Sequence, residues 1–154
     1  MTYWDRAEKA NRLHNAGVKV VVPAYPKWHF FVRPMDQWNL RYHRAVARIA
    51  KRPEVADYLG RANAPGYVMT DGDTEIDNAI RRESLAEGCI ASWHVTDRKG
   101  KPLKLTLENA LKVLETFREI EHEIGKAATD KKLFEVALTD DDKVEIAAGN
   151  SQAA

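Results

Sequence analysis

The fold is decided by residues 90–134, IASWHVTDRKGKPLKLTLENALKVLETFREIEHEIGKAATDKKLF. In residues 91–105 a strand-forming segment, a Gly- and Pro-containing turn and a second extended run predict a β-hairpin. Thr106 is then expected to cap a helix that continues to Ile124. Apolar residues recur along this helix every three or four positions, at Leu107, Ala110, Leu111, Leu114, Phe117, Ile120 and Ile124. The stretch predicts a surface for contacts rather than a catalytic centre.

The residues before this stretch predict the same order of hairpin and helix. Residues 5–16 are helix-like, and Gly17 is placed as their C-terminal stop. Residues 18–22 and 28–33 favour two strands around a Pro-containing turn, which predicts a first hairpin. Asp36 is expected to cap an amphipathic helix that ends at Arg52. Its predicted apolar face consists of Trp38, Tyr42, Ala45, Val46 and Ile49, and its basic residues are Arg41, Arg44, Arg48, Lys51 and Arg52.

Shorter helices are predicted in the rest of the chain. They span residues 53–59, 74–87 and 130–138, with a loop over residues 64–73. The predicted fold class is therefore mainly α with two small β-hairpins, an α+β arrangement in one compact helical domain.

The domain is expected to span residues 1–139. Residues 1–34 form its N-terminal helix and hairpin, and residues 35–139 form the helical part with the second hairpin. Residues 140–154 are small and polar and predict a flexible C-terminal tail.

Composition excludes several function classes. With 24 basic and 23 acidic side chains the formal charge is +1, so the whole molecule exerts no strong attraction on nucleic acids or anionic lipids. No apolar run approaches the roughly 20 residues of a membrane span. Cys89 cannot form an intramolecular disulfide and is expected to be a small buried apolar residue.

Candidate catalytic and metal-binding patterns are weak. Glu119 and His122 stand at i, i+3 as in di-metal helical bundles, but a second such helix is not visible in the sequence. Asp71, Asp73 and Glu75 alternate like calcium ligands but do not fit the twelve-residue calcium loop. Phosphate-binding glycine motifs and the hydrolase elbow G-x-S-x-G are also absent from the sequence. We therefore expect no enzymatic activity, no cofactor and no metal.

One family resemblance is carried by residues spread over positions 30–134. They are Phe31-Val32-Arg33-Pro34, Asn39, Tyr42, Ile90, Trp93, Asp97, Gly100-Lys101-Pro102-Leu103, Leu105-Thr106, Glu108-Asn109-Ala110, Leu114, Ala127, Ala128, Asp130 and Phe134. This progression resembles the tail assembly chaperones of long-tailed bacteriophages. The resemblance does not extend to residues 1–27, and the family has no fixed catalytic or binding residues to transfer.

The resemblance implies a non-enzymatic protein in the cytoplasm of an infected bacterial host. Such chaperones bind the tape-measure protein and help to recruit tail-tube subunits during virion morphogenesis. A chaperone of this kind often self-associates, so a homo-oligomer is also expected. We expect protein binding through the exposed parts of the two long predicted helices, and the candidate residues are Arg41, Arg44, Arg48, Trp93, Leu114 and Phe117.

Two other functions remain open from the sequence. The first is a structural virion component, such as a tail-completion or connector protein. The second is a small nucleic-acid-binding regulator, in which the basic residues of the helix after Asp36 follow phosphates and Trp28 or Trp38 stacks on bases. The second function is disfavoured because basic residues around an apolar stripe are also what an ordinary soluble helix shows.

Overall fold

The structure is a computed structural model that describes residues 2–139, and the predicted tail at 140–154 lies outside the described residues. Within residues 2–139 the elements are α1 (Tyr3–Ala16), β1 (Val18–Val20), β2 (His29–Val32), α2 (Leu40–Ala50), α3 (Pro53–Ala62), α4 (Asp71–Gly88), β3 (Ile90–His94), α5 (Leu107–Thr116), α6 (Arg118–Ala128) and α7 (Lys131–Thr139). Helices dominate and surround one small antiparallel sheet. The predicted α+β class is confirmed.

Local signals at the N-terminus determine the first helix and hairpin. Thr2 and Asp5 form a reciprocal capping box that starts α1. Gly17 ends α1 with a φ of +83°, and a Cβ built on it would lie 2.8 Å from the backbone nitrogen of Val32. Glycine is therefore required here both by the backbone conformation and by the close approach of β2. Val18 then pairs with Val32, so the first predicted hairpin is confirmed.

The second predicted hairpin is wrong. Residues 97–102 do form a tight turn, but beyond it the pairing amounts to an isolated bridge between Thr96 and Pro102. Instead β3 pairs antiparallel with β2, which gives one three-stranded sheet in the order β1-β2-β3. The reason is non-local, because the central strand β2 is entirely buried and takes partners on both edges.

The predicted continuous helix from Thr106 to Ile124 is also wrong in one respect. Thr106 caps α5 as expected, since its hydroxyl accepts the N–H of Asn109 at 3.1 Å. The helix then breaks at Phe117, whose φ of −109° and ψ of 81° are not helical. The Phe117 ring packs edge-on against Tyr25 and Trp28 of the connection between β1 and β2, with centroid distances of 5.2 and 5.0 Å. Tertiary aromatic contacts therefore separate α5 from α6.

The main core lies between the sheet and the helices α4, α5 and α6. Its fully buried side chains include Phe30, Leu85, Leu114, Ile120 and Ile124. A second, smaller cluster joins α1, β1 and α7 through Leu13, Val18 and Ala137, with Leu133, Phe134 and Leu138 packed against it. The two clusters place α7 beside α1, next to the surface described below.

Gly88, at the end of α4, permits a close approach to α2. A Cβ at this position would lie 2.5 Å from the Cα of Tyr42, which is backbone that cannot move independently of its helix. We expect Gly88→Ala to lower the free energy of unfolding by about 1–3 kcal/mol, because it must separate α2 from α4. Gly60 in α3 is the matched control, since nothing lies within 4 Å of its Cβ position. Gly60→Ala should raise stability by about 0.5–1 kcal/mol, and urea unfolding of both variants would measure the contrast.

A buried carboxylate holds the connection between α3 and α4. Asp73 accepts hydrogen bonds from both terminal nitrogens of Arg61, at 2.9 and 2.7 Å, and from the Tyr67 hydroxyl at 2.8 Å. It also forms a capping box with Thr70, so α4 begins three residues earlier than predicted. Arg61 and Tyr67 hold the pKa of Asp73 well below its ordinary value, and burial together with Asp73 raises the pKa of Tyr67 to about 12.

This lowered pKa predicts a pH dependence of stability. Asp73 has a lower pKa in the folded than in the unfolded chain, so its contribution is fully present above about pH 4 and is lost as the pH falls below that value. The free energy of unfolding of Asp73→Asn should therefore depend less on pH between about pH 5 and 2 than that of the unaltered protein. Asp71→Asn, at an exposed neighbouring position, should keep the original dependence. If the free energy of unfolding depended equally on pH in all three proteins, this account of Asp73 would be contradicted.

Candidate functional site

An open apolar groove crosses the surface where α1, the segment between β2 and α2, the end of α6, and α7 meet. We call it the apolar groove, and its volume is about 580 Å³. Its apolar lining includes Leu13, Pro34, Met35, Trp38, Phe134 and Leu138. Its polar lining is Asn11, His14, Asp36, Thr129, Lys131 and Glu135. A concave surface of this composition suits the burial of apolar side chains from another molecule.

Trp38 stands at this groove with 70% of its surface exposed. The sequence had placed it on the apolar face of a helix capped by Asp36, and that prediction is wrong. The cap is Asn39, whose side chain accepts the N–H of Tyr42, so the helix α2 begins only at Leu40. Trp38 therefore precedes the helix, and its ring is left outside the core.

Hydrogen bonds hold the backbone around Trp38. The Asp36 carboxylate accepts the backbone N–H of Trp38 at 3.0 Å, and the same oxygen lies 2.9 Å from Nε2 of His14 on α1. The N–H of Met35 donates to the carbonyl of Ala128 at 2.8 Å, which attaches the segment to the end of α6. The indole is thus presented by a fixed backbone and not by a loose loop.

Asn39 supports this segment from the inside. It is almost fully buried, and its amide nitrogen donates to the carbonyls of Pro34 at 2.8 Å and Gly88 at 3.0 Å. Its amide oxygen is the cap of α2. One side chain therefore connects the segment before α2, the first turn of α2 and the end of α4.

The predicted apolar site residues belong mainly to the core. Leu114 is fully buried, so its prediction as a protein-binding residue is wrong. Trp93 is half-buried, where its indole N–H donates to the carbonyl of Leu103 at 2.8 Å and its ring packs edge-on against Phe30. Phe117 is half-buried between Tyr25 and Trp28. Helical periodicity identified these residues as apolar but did not distinguish a core face from a binding face.

The predicted basic site residues lie on the surface, although part of their charge is compensated. Arg41 and Arg44 are exposed. Arg48 forms an ion pair with Glu87 of α4, and Arg52 forms one with Glu83 at 2.8 Å. The Arg48 pair joins α2 to α4, and the Arg52 pair joins the start of α3 to α4. Both pairs leave a smaller positive field for phosphates than the number of basic residues in the sequence implies.

The residues considered for metal or thiol chemistry have structural roles or surface positions. Asp73 is engaged by Arg61 and Tyr67. In the part of the chain that the structure describes, no group of three or more His, Cys, Asp or Glu side chains could hold a metal ion. Cys89 is fully buried, as expected, and burial raises the pKa of its thiol to about 12. Every helix of residues 2–139 is too short or too polar to cross a membrane.

The chain matches no family model, and neither a curated protein nor a solved structure is significantly similar to it. The candidate site is therefore supported by its geometry alone. Sequence reasoning missed this groove because its members come from α1, residues 34–38, α6 and α7. One available signal was Asn39, which is as good a helix cap as Asp36 and would have placed Trp38 outside α2.

Proposed function

We propose that this protein is a non-enzymatic tail assembly chaperone of a long-tailed bacteriophage. In this proposal it binds the tape-measure protein in the host cytoplasm and helps to recruit tail-tube subunits. The observation that carries the proposal is the open apolar groove with Trp38 exposed beside it. A long, helical and aggregation-prone client exposes apolar stripes, and an apolar groove is the surface that covers such a stripe.

The residues that carry the family resemblance support the same proposal through their structural roles. Asn39 holds the segment that presents Trp38, and Thr106 caps α5. Gly100 adopts a φ of +79° in the turn that Asp97 closes by accepting the N–H groups of Lys99 and Lys101. The resemblance thus consists of residues that specify a fold, which is expected for a family that binds proteins and performs no catalysis.

The location of the chain during infection tests this proposal against a structural virion component. A chaperone should be found with the tape-measure protein in lysates of infected cells and should be absent from purified particles. Quantitative mass spectrometry of both fractions would measure this. A constant number of copies per finished particle would contradict the proposal and favour a tail-completion or connector protein.

A further inference from the structure

A second depression, which we call the basic cleft, adjoins the apolar groove. Its volume is about 460 Å³, and Met35 and Thr129 line both depressions. The two therefore form one continuous surface that extends from α1 and α7 at one end to α4 and α6 at the other. Its two ends differ in chemistry, because the first is mainly apolar and the second also has several charged side chains in its lining.

Basic side chains in the basic cleft are arranged as a row on one helix. Arg118, His122 and Lys126 follow one another at intervals of four residues on α6, so they share one face. The first and the last are about 12 Å apart along the helix axis. Arg81 of α4 also lines the cleft but forms an ion pair with Asp77 at 3.2 Å.

The row lacks internal carboxylate partners. Glu121 also lines the cleft, but its carboxylate is bound by Nε of Arg82 at 3.1 Å. Within residues 2–139, Arg118 and Lys126 take part in no ion pair. A carboxylate of a binding partner could therefore form ion pairs with Arg118 and Lys126 without breaking an ion pair that already exists.

From this charge complementarity we infer that the groove and the cleft together bind an amphipathic helix with an acidic end. Its apolar stripe lies in the apolar groove against Trp38, and its carboxylates lie against Arg118 and Lys126. A nucleic acid fits less well, because the basic row continues into an apolar surface and not into further positive charge. That the helix belongs to the tape-measure protein rests on the proposed function, whereas the preference for an acidic partner does not.

Synthetic helical peptides test this preference directly. Two acidic probes would carry the same Leu and Trp stripe, with three Glu residues at either the N-terminal or the C-terminal end. Basic probes would replace Glu with Lys. We expect the better acidic probe to bind about fivefold to tenfold more tightly than its basic counterpart, as measured by fluorescence anisotropy.

Variants with reversed charges test whether Arg118 and Lys126 cause the preference for acidic probes. Arg118→Glu/Lys126→Glu should remove or reverse the preference, while Lys104→Glu/Lys112→Glu, an equal charge change outside the groove and cleft, should retain it. Urea unfolding would verify that both variants are folded. Equal affinity for acidic and basic probes, an unchanged preference after reversal, or no binding of any probe would overturn the inference. Tighter binding of DNA than of the acidic probes would overturn it as well.

The same proteins separate this inference from the proposed function. If the probes show no charge preference but the tape-measure protein still co-purifies with the chain, the inference is overturned and the proposed function stands. If the acidic probe binds as expected but the tape-measure protein does not, the surface is assigned correctly and the proposed function fails.

Discussion

Asn39→Ala is expected to lower the free energy of unfolding by about 2–4 kcal/mol, the largest stability effect expected for a single substitution in this chain. Removal of the cap of α2 costs about 1 kcal/mol. The larger part, about 1–3 kcal/mol, comes from the loss of the hydrogen-bond donor to the buried carbonyl of Gly88 and the partly buried carbonyl of Pro34. Urea unfolding followed by circular dichroism would measure the loss.

Asn39→Asp separates the two causes. Aspartate is an equally good cap but cannot donate to either carbonyl and would place a carboxylate against them. Asn39→Asp should therefore remain strongly destabilising at neutral pH. Asn78→Ala, at an exposed position of α4, is the control and should change stability by less than about 0.5 kcal/mol. A stable Asn39→Asp protein would mean that capping alone explains the role of Asn39.

Trp38→Ala is expected to weaken binding of a client helix by about 30-fold, which corresponds to the roughly 2 kcal/mol of an interface hot spot. A large aromatic ring beside a groove buries apolar area in the complex that it cannot bury in the free protein. Stability of the free protein should change by less than about 0.5 kcal/mol, because Trp38 is 70% exposed. Fluorescence anisotropy with the acidic helical probe would measure the affinity.

Trp4 provides the matched control for this prediction. It is 80% exposed, comparable with Trp38, but it lies near the start of α1 and does not line the groove. Trp4→Ala should bind the client with the affinity of the unaltered protein. An equal loss from both substitutions would indicate non-specific attraction to exposed aromatic residues and not a defined site.

Elements with local end signals could be predicted from the sequence. The stop of α1 at Gly17 and the start of α5 after Thr106 follow from capping, and the hairpin of β1 and β2 follows from strand composition around a Pro-containing turn. Features that depend on distant residues were not predictable in this way. The pairing of β3 with β2 joins segments about 60 residues apart, and the break at Phe117 depends on aromatic contacts with Tyr25 and Trp28.

The candidate site was the least predictable feature for the same reason. Hydrophobic periodicity assigned Leu114 and Trp38 to similar apolar faces, but Leu114 lies in the core and Trp38 lies on the surface. The error at Trp38 came from the choice of cap residue, because Asp36 as the cap puts Trp38 in the helix, whereas the actual cap Asn39 puts it before the helix. The basic row at Arg118, His122 and Lys126 is visible as a four-residue spacing, although only the folded chain places it beside the groove.

The central claim of the proposal is that the groove at Trp38 binds the tape-measure protein, and co-expression with a candidate tape-measure protein tests it most directly. The amount of soluble client and its copurification would be compared for the unaltered chain, Trp38→Ala and Trp4→Ala. We predict that the unaltered chain and Trp4→Ala keep the client soluble and copurify with it in several copies, whereas Trp38→Ala does neither. A client that stays insoluble with every variant, or one that Trp38→Ala solubilises equally well, would contradict the claim.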